Sequence, residues 1–98
     1  MNLPSRIVGI SWYTLENYAE IKAMMEDGHK LPATYSLWRM SAEQAEKKFR
    51  REGCLVIRAP LEPKSFRDFC LLHRLNINAD ARKQFAAWTA GKINSARD

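Results

Sequence analysis

Between Pro32 and Gly53 runs one uninterrupted helical pattern, and it constrains everything around it. Tyr35, Trp38, Ala42, Ala45 and Phe49 recur at spacings of 3, 4, 3 and 4, the recurrence that lines one face of an α-helix. Pro32 bars an earlier start, Thr34 offers a capping hydroxyl, and Gly53 closes the run. Glu43–Lys47, Glu46–Arg50 and Lys48–Glu52 are opposite-charge pairs four residues apart, each adding about 0.2–0.5 kcal/mol on an exposed helix. The spacing predicts a helix over 34–52. A stripe that long must be buried, so the flanking segments have to supply its cover.

Those segments read as two strands and three further helices. In Arg6–Tyr13, Val8, Ile10 and Trp12 alternate with Ile7, Gly9 and Ser11, a strand pattern. Thr14 can cap a helix through Leu15, Tyr18, Ile21 and Met25, with Lys22 on its flank and Gly28 as a left-handed stop. Cys54–Ala59 reads as a second strand closed by Pro60, and its Leu55-Val56-Ile57 core suits cover on both faces or on most of both. Pro63 opens a helix striped by Phe66, Phe69, Cys70 and His73 with help from Leu72, ended at Asn76. Asn78 then caps a last helix, with Asp80 in its first turn and Ala81, Phe85 and Trp88 on one face, fraying past Gly91. The expected fold is α+β, helix-rich, in the order β-α-α-β-α-α. It forms one domain over residues 1–98, with an ordered core from about 6 to 90 and a frayed tail over 91–98.

With two helices between them, the strands can pair in parallel, and an antiparallel pair is also open. Two strands alone are marginal in water and leave unpaired edges. Either helices cover those edges or a second copy of the chain does, so a homodimer is one expectation. No apolar run nears the roughly 18 residues of a membrane span, and no basic, apolar leader opens the chain. The expected compartment is the cytoplasm, with no membrane partner. There Cys54 and Cys70 stay reduced and read as small core residues.

Cys70 and His73 share a helical face, the minimum for a thiolate–imidazole pair. Zinc needs more ligands, and the only other cysteine and histidine are Cys54 and His29, without CxxC or HxxxH spacing. Glu26-Asp27 reads as a solvated helix end, a poor setting for a tuned acid. Phosphate-binding glycine loops and the GxSxG and HExxH signatures are absent from the sequence. The expectation is no enzyme, no cofactor and no metal.

The net charge of +5 is concentrated after residue 38, which suits a polyanionic partner. Lys47, Lys48, Arg50 and Arg51 lie on the outer face and flanks of the long helix and can meet phosphates. The short Leu-Asn-Ile-Asn link before the last helix allows a helix-turn-helix reading, with Arg82 and Lys83 at the start of the reading helix. Ten aromatics are many for so small a domain, and Trp12, Tyr13 and Tyr35 are the candidates for a partner-binding patch.

Ile10-Ser-Trp-Tyr13, Leu31-Pro-Ala-Thr-Tyr35 with Trp38, Gly53 before Val56-Ile57-Arg58, and Pro63, Phe66 and Phe69-Cys70 form a succession spread over most of the chain. It resembles a family of short bacterial proteins of unknown function. The resemblance implies a bacterial origin and a single-domain fold, and nothing about chemistry. The expected function is a non-enzymatic protein-interaction module that binds another protein or itself. The alternative is a nucleic-acid-binding accessory protein using Lys47, Lys48, Arg50, Arg51, Arg82 and Lys83.

Overall fold

The computed structural model describes residues 6–96. Strand β1 (Ile7–Trp12) leads through α1 (Tyr18–Met24) and a 3₁₀ turn (Gly28–Lys30) into α2 (Tyr35–Arg51). Then follow β2 (Leu55–Pro60), α3 (Pro63–His73) and α4 (Ala79–Ala96). The fold is α+β in the expected element order. The strands pair in parallel, Ile7 opposite Leu55 through Trp12 opposite Pro60, and the long helical crossover supplies the connection that parallel pairing needs.

Alternation along the strands builds three layers. Gly9, Ser11, Ile57 and Ala59 face α4. A Cβ built on Gly9 would stand 2.5 Å from the Ala86 carbonyl oxygen and 2.8 Å from Ala90 Cβ, and Ser11 Oγ donates to the Arg82 carbonyl at 3.2 Å. Ile10, Trp12 and Arg58 face α2, where Trp12 meets Trp38 edge-on at 5.1 Å. Cover on β2 is uneven: within Leu55-Val56-Ile57, Ile57 is buried and Leu55 and Val56 are half-buried, whereas Arg58 and Pro60 beyond that run are exposed. One core joins Tyr13, Tyr18, Ile21, Trp38, Leu61, Phe66, Phe69, Cys70 and Phe85.

Cap chemistry sets most helix ends. Thr34 Oγ1 accepts from the Leu37 amide at 3.2 Å, as its position before α2 leads one to expect. Glu62 caps α3 by accepting from the Lys64 and Ser65 amides, and Asn78 Oδ1 accepts from the Ala81 amide at 3.1 Å. Thr14 and Asn17 each accept from the other's amide, a reciprocal box.

Several local expectations give way to the structure. Residues 15–17 form a turn that leaves Leu15 68 % exposed, so α1 starts three residues later than the apolar spacing implied. Gly28 does not stop α1 with a left-handed residue. It opens the 3₁₀ turn, and its missing Cβ makes room for the Lys22 carbonyl. Lys22 itself holds that turn, its Nζ donating to the carbonyls of Gly28 and Leu31. α3 ends on Arg74, the one non-glycine residue at positive φ among the described residues (54°), rather than at Asn76. Leu72 is 79 % exposed and His73 also faces solvent, so neither belongs to the buried stripe. Trp88 stands half-exposed beside a buried face of Ala81, Phe85, Ala86 and Ala90. α4 continues to Ala96 where the sequence predicts fraying past Gly91, and residues 97 and 98 of that predicted tail lie outside the described residues. Among the described residues no helix is long and apolar enough to cross a membrane.

Candidate functional site

Among the described residues the two-stranded sheet has two free edges, and its hydrogen-bond phase decides what each presents. The Leu55 amide donates to the Arg6 carbonyl and the Leu61 amide to the Trp12 carbonyl, both at 3.0 Å. Carried along the parallel register, that phase turns the peptide groups of Val8, Ile10 and Trp12 toward β2. Those of Ile7, Gly9 and Ser11 point away from it. On β2 the outward set is Val56, Arg58 and Pro60, and Pro60 has no N–H to offer. The two edges thus differ at one end: β2 lacks the Pro60 donor but keeps the outward groups of Val56 and Arg58, whereas β1 carries alternate donors and acceptors along its length without a backbone partner among the described residues.

The β1 edge lies at the floor of a cleft of about 440 Å³ between α2 and α4. On the α2 side, Val8 and Ile10 run beside Ala45 and Phe49, an apolar wall. On the α4 side stand Ala79 and Ala86 with Arg82 and Lys83. The alanines are small because α4 packs directly on Gly9. Among the described residues no carboxylate lines the cleft, and the Arg6 guanidinium sits 5.7 Å from the ring centre of Phe49, one of its lining residues.

The six basic residues expected to meet nucleic acid do not share a face. Lys47, Lys48 and Arg51 are exposed on α2 and have no ion-pair partner among the described residues. Arg50 lies 3.6 Å from Glu46. Lys83 is exposed on α4, in the layer across the sheet. Arg82 is not a reading residue: its side chain is 13 % exposed and its Nη1 donates to Asp27 Oδ1 at 3.2 Å. α4 packs against both strands through Ala81, Phe85, Ala86 and Ala90 and leaves Lys83, Gln84, Ala87 and Trp88 on its exposed face.

The aromatic candidates are drawn inward. Tyr13 is 3 % exposed and belongs to the core, which removes it from any partner surface, and burial pushes its hydroxyl pKa up to about 12. Trp12 is half-buried with the Arg58 guanidinium 3.9 Å and that of Arg39 5.4 Å from its ring centre. Tyr35, also half-buried, accepts at its hydroxyl from Arg39 Nη1 at 3.0 Å and packs against Tyr18 and Trp38.

Cys70 is 2 % exposed within the core, and burial pushes its thiol pKa up, away from the thiolate that nucleophilic or metal chemistry uses. His73 lies outside, its ring 4.4 Å from that of Phe69. Cys54 is buried separately, its Sγ accepting from Arg6 Nε at 3.3 Å. Among the described residues no group of three or more His, Cys, Asp or Glu could hold a metal ion. Of the Glu26-Asp27 pair, Glu26 is exposed as expected, whereas Asp27 is drawn inward. Glu26 accepts from Asn78 Nδ2, and Asp27 accepts from the Ala79 amide at 3.0 Å and from Arg82. Burial alone would raise the Asp27 carboxyl pKa, but these bonds and the guanidinium charge outweigh it and hold it below its ordinary 3.8.

Two other concavities lie against the helices and include no β1 residue. A depression of about 580 Å³ beside α1 contains Lys22, whose ammonium is committed to backbone carbonyls. A groove of about 410 Å³ between α3 and α4 is lined by Phe69, Phe85 and Trp88 together with polar side chains that include Asp68, His73 and Lys92. Sequence reasoning placed Gly9 and Ser11 in a strand but did not reach the edge they expose. The available signal was a glycine inside a strand, which marks close approach of another backbone. Comparison of the chain with protein-family models, curated proteins and solved structures finds no match.

Proposed function

We propose that this chain is a protein-interaction module that accepts an extended segment of a partner along the free edge of β1. One observation carries the reading: the outward peptide groups of Gly9 and Ser11 lie in an open apolar cleft, in a sheet with two strands among the described residues. Unpaired strand edges template further pairing, and strand addition is a recurrent mode of peptide recognition. The cleft lies along β1, and β2 lacks the Pro60 donor, so β1 is the edge that favours such addition. No chemistry beyond hydrogen bonding and apolar contact is needed, which is why the reading is non-enzymatic.

Amide hydrogen exchange tests it directly. In the free chain the Val8 and Ile10 amides exchange slowly and those of Gly9 and Ser11 exchange quickly. Peptides selected from a random displayed library should slow Gly9 and Ser11 selectively. Selected peptides that bind yet leave these two amides unchanged would refute the assignment. Duplex or single-stranded DNA that binds with a steep salt dependence and shifts Lys47, Lys48 and Arg51 would replace it by the nucleic-acid reading.

A further inference from the structure

The two walls of the β1 cleft differ in chemistry, and that difference specifies the segment it takes. Successive side chains of an added strand point to opposite faces of the sheet. One set therefore meets the α2 wall and the other meets the α4 wall. Against α2 it finds Val8, Ile10, Ala45 and Phe49, which offer no polar side-chain atom. Against α4 it finds Ala79 and Ala86, which leave space, and the cations Arg82 and Lys83. Arg82 is committed to Asp27. Lys83 is exposed and has no ion-pair partner among the described residues.

We propose that the accepted strand alternates apolar and acidic residues, its apolar side chains seated on Ala45 and Phe49 and a carboxylate paired with Lys83. The inference rests on the strand-addition reading and adds the class of segment. A second copy of this chain fits less well as the occupant. Its own edge strand, Ile7–Trp12, carries no carboxylate. Pairing two β1 edges about a two-fold axis normal to the sheet would also bring both α4 helices, each with its Lys83, onto one face. Like charges placed together oppose association, whereas complementary ones steer it.

The test uses the full chain, isotope-labelled, and three blocked six-residue peptides. One alternates Val or Ile with Asp or Glu, the second has Thr in place of the acids, and the third has Lys. The expected result is that the acidic peptide protects the Gly9 and Ser11 amides and binds about fivefold tighter than the Thr peptide at low salt, the scale of an exposed ion pair. Lys83→Glu should reverse the order in favour of the Lys peptide, and Lys83→Gln should abolish the preference without abolishing binding. Lys83 is exposed, so both variants should keep the fold, which the unchanged slow exchange of Val8 and Ile10 verifies.

Equal binding of the acidic and Thr peptides, with Gly9 and Ser11 protected, overturns the charge selectivity and leaves strand addition standing. Failure of every peptide to protect those amides at millimolar concentration overturns both. An acidic peptide that shifts Lys47, Lys48 and Arg51 instead overturns the assignment of the site. Protection of Gly9 and Ser11 in the free chain, together with a dimer in sedimentation, makes the occupant a second copy and overturns the proposal.

Discussion

At the scale of single residues, glycine and glutamate show how much a position's surroundings decide. Gly9 and Gly91 both lie in regular structure, yet substitution should move stability in opposite directions. A methyl on Gly9 would meet the Ala86 backbone at 2.5 Å, and backbone cannot step aside. Gly9→Ala should cost about 1–3 kcal/mol by overpacking. A methyl on Gly91 meets nothing within 4 Å, and Gly91→Ala should stabilise by about 0.5–1 kcal/mol through helix propensity. Urea titration of both variants checks the pair. A neutral Gly9→Ala would show that α4 does not press on β1 and would remove the physical basis of the cleft.

Glu46 is the residue the sequence concealed. Its pairing with Arg50 one turn away reads as surface lacing, yet it is 2 % exposed and accepts from Arg58 Nε at 2.6 Å and Nη2 at 2.9 Å. The carboxylate continues the buried line of Trp38 and Ala42. Only its partner, an arginine between Ile57 and Ala59, hinted that a buried acid was waiting. The Asp27–Arg82 pair left no local trace, because its members stand 55 residues apart.

At the scale of elements, legibility followed periodicity. α2 was readable from end to end because Thr34, a sustained stripe and Gly53 agree, and both strands and α3 were readable from composition and punctuation. α1 was misread at its start because Leu15 fits the period while the Thr14–Asn17 box holds a turn there. α3 shows the complementary limit: apolar identity is not burial. Leu71 and Leu72 are 74 % and 79 % exposed, whereas Phe66 is fully buried. Leu72→Ala should therefore change stability by no more than about 0.5 kcal/mol, while Phe66→Ala should cost about 3–5 kcal/mol. Thermal melts of the two variants give the comparison. Comparable losses would place Leu72 in a core contact that the fold does not contain.

At the scale of the whole molecule, two carboxylates brace parts of the chain that no local pattern connects, and acid should loosen both. Glu46 ties α2 to β2: the Arg58 hydrogen bonds lower its pKa below the ordinary 4.5, overcoming the opposing effect of burial. Asp27 ties the turn after α1 to the start of α4, and its pKa is likewise depressed. For a group whose folded value lies below its unfolded one, the unfolded state takes up protons first as pH falls. The stabilisation is then complete above the unfolded value and drains away as pH drops through the folded one. Tm should accordingly stay flat from pH 7 to about 5.5, then fall progressively below about pH 5. The double variant Asp27→Asn, Glu46→Gln should melt lower at pH 7, since each change weakens charged hydrogen bonds contributing about 1.5–3 kcal/mol. Its acid slope should nonetheless be shallower, so that the two melting curves draw together as pH falls. Surface carboxylates such as Glu62, whose pKa the Ser65 and Lys64 amide bonds lower, remain in both proteins and account for the slope that survives. Parallel curves across the whole range would mean that neither brace titrates with unfolding. The acid sensitivity of the fold would then have to lie in those exposed groups instead.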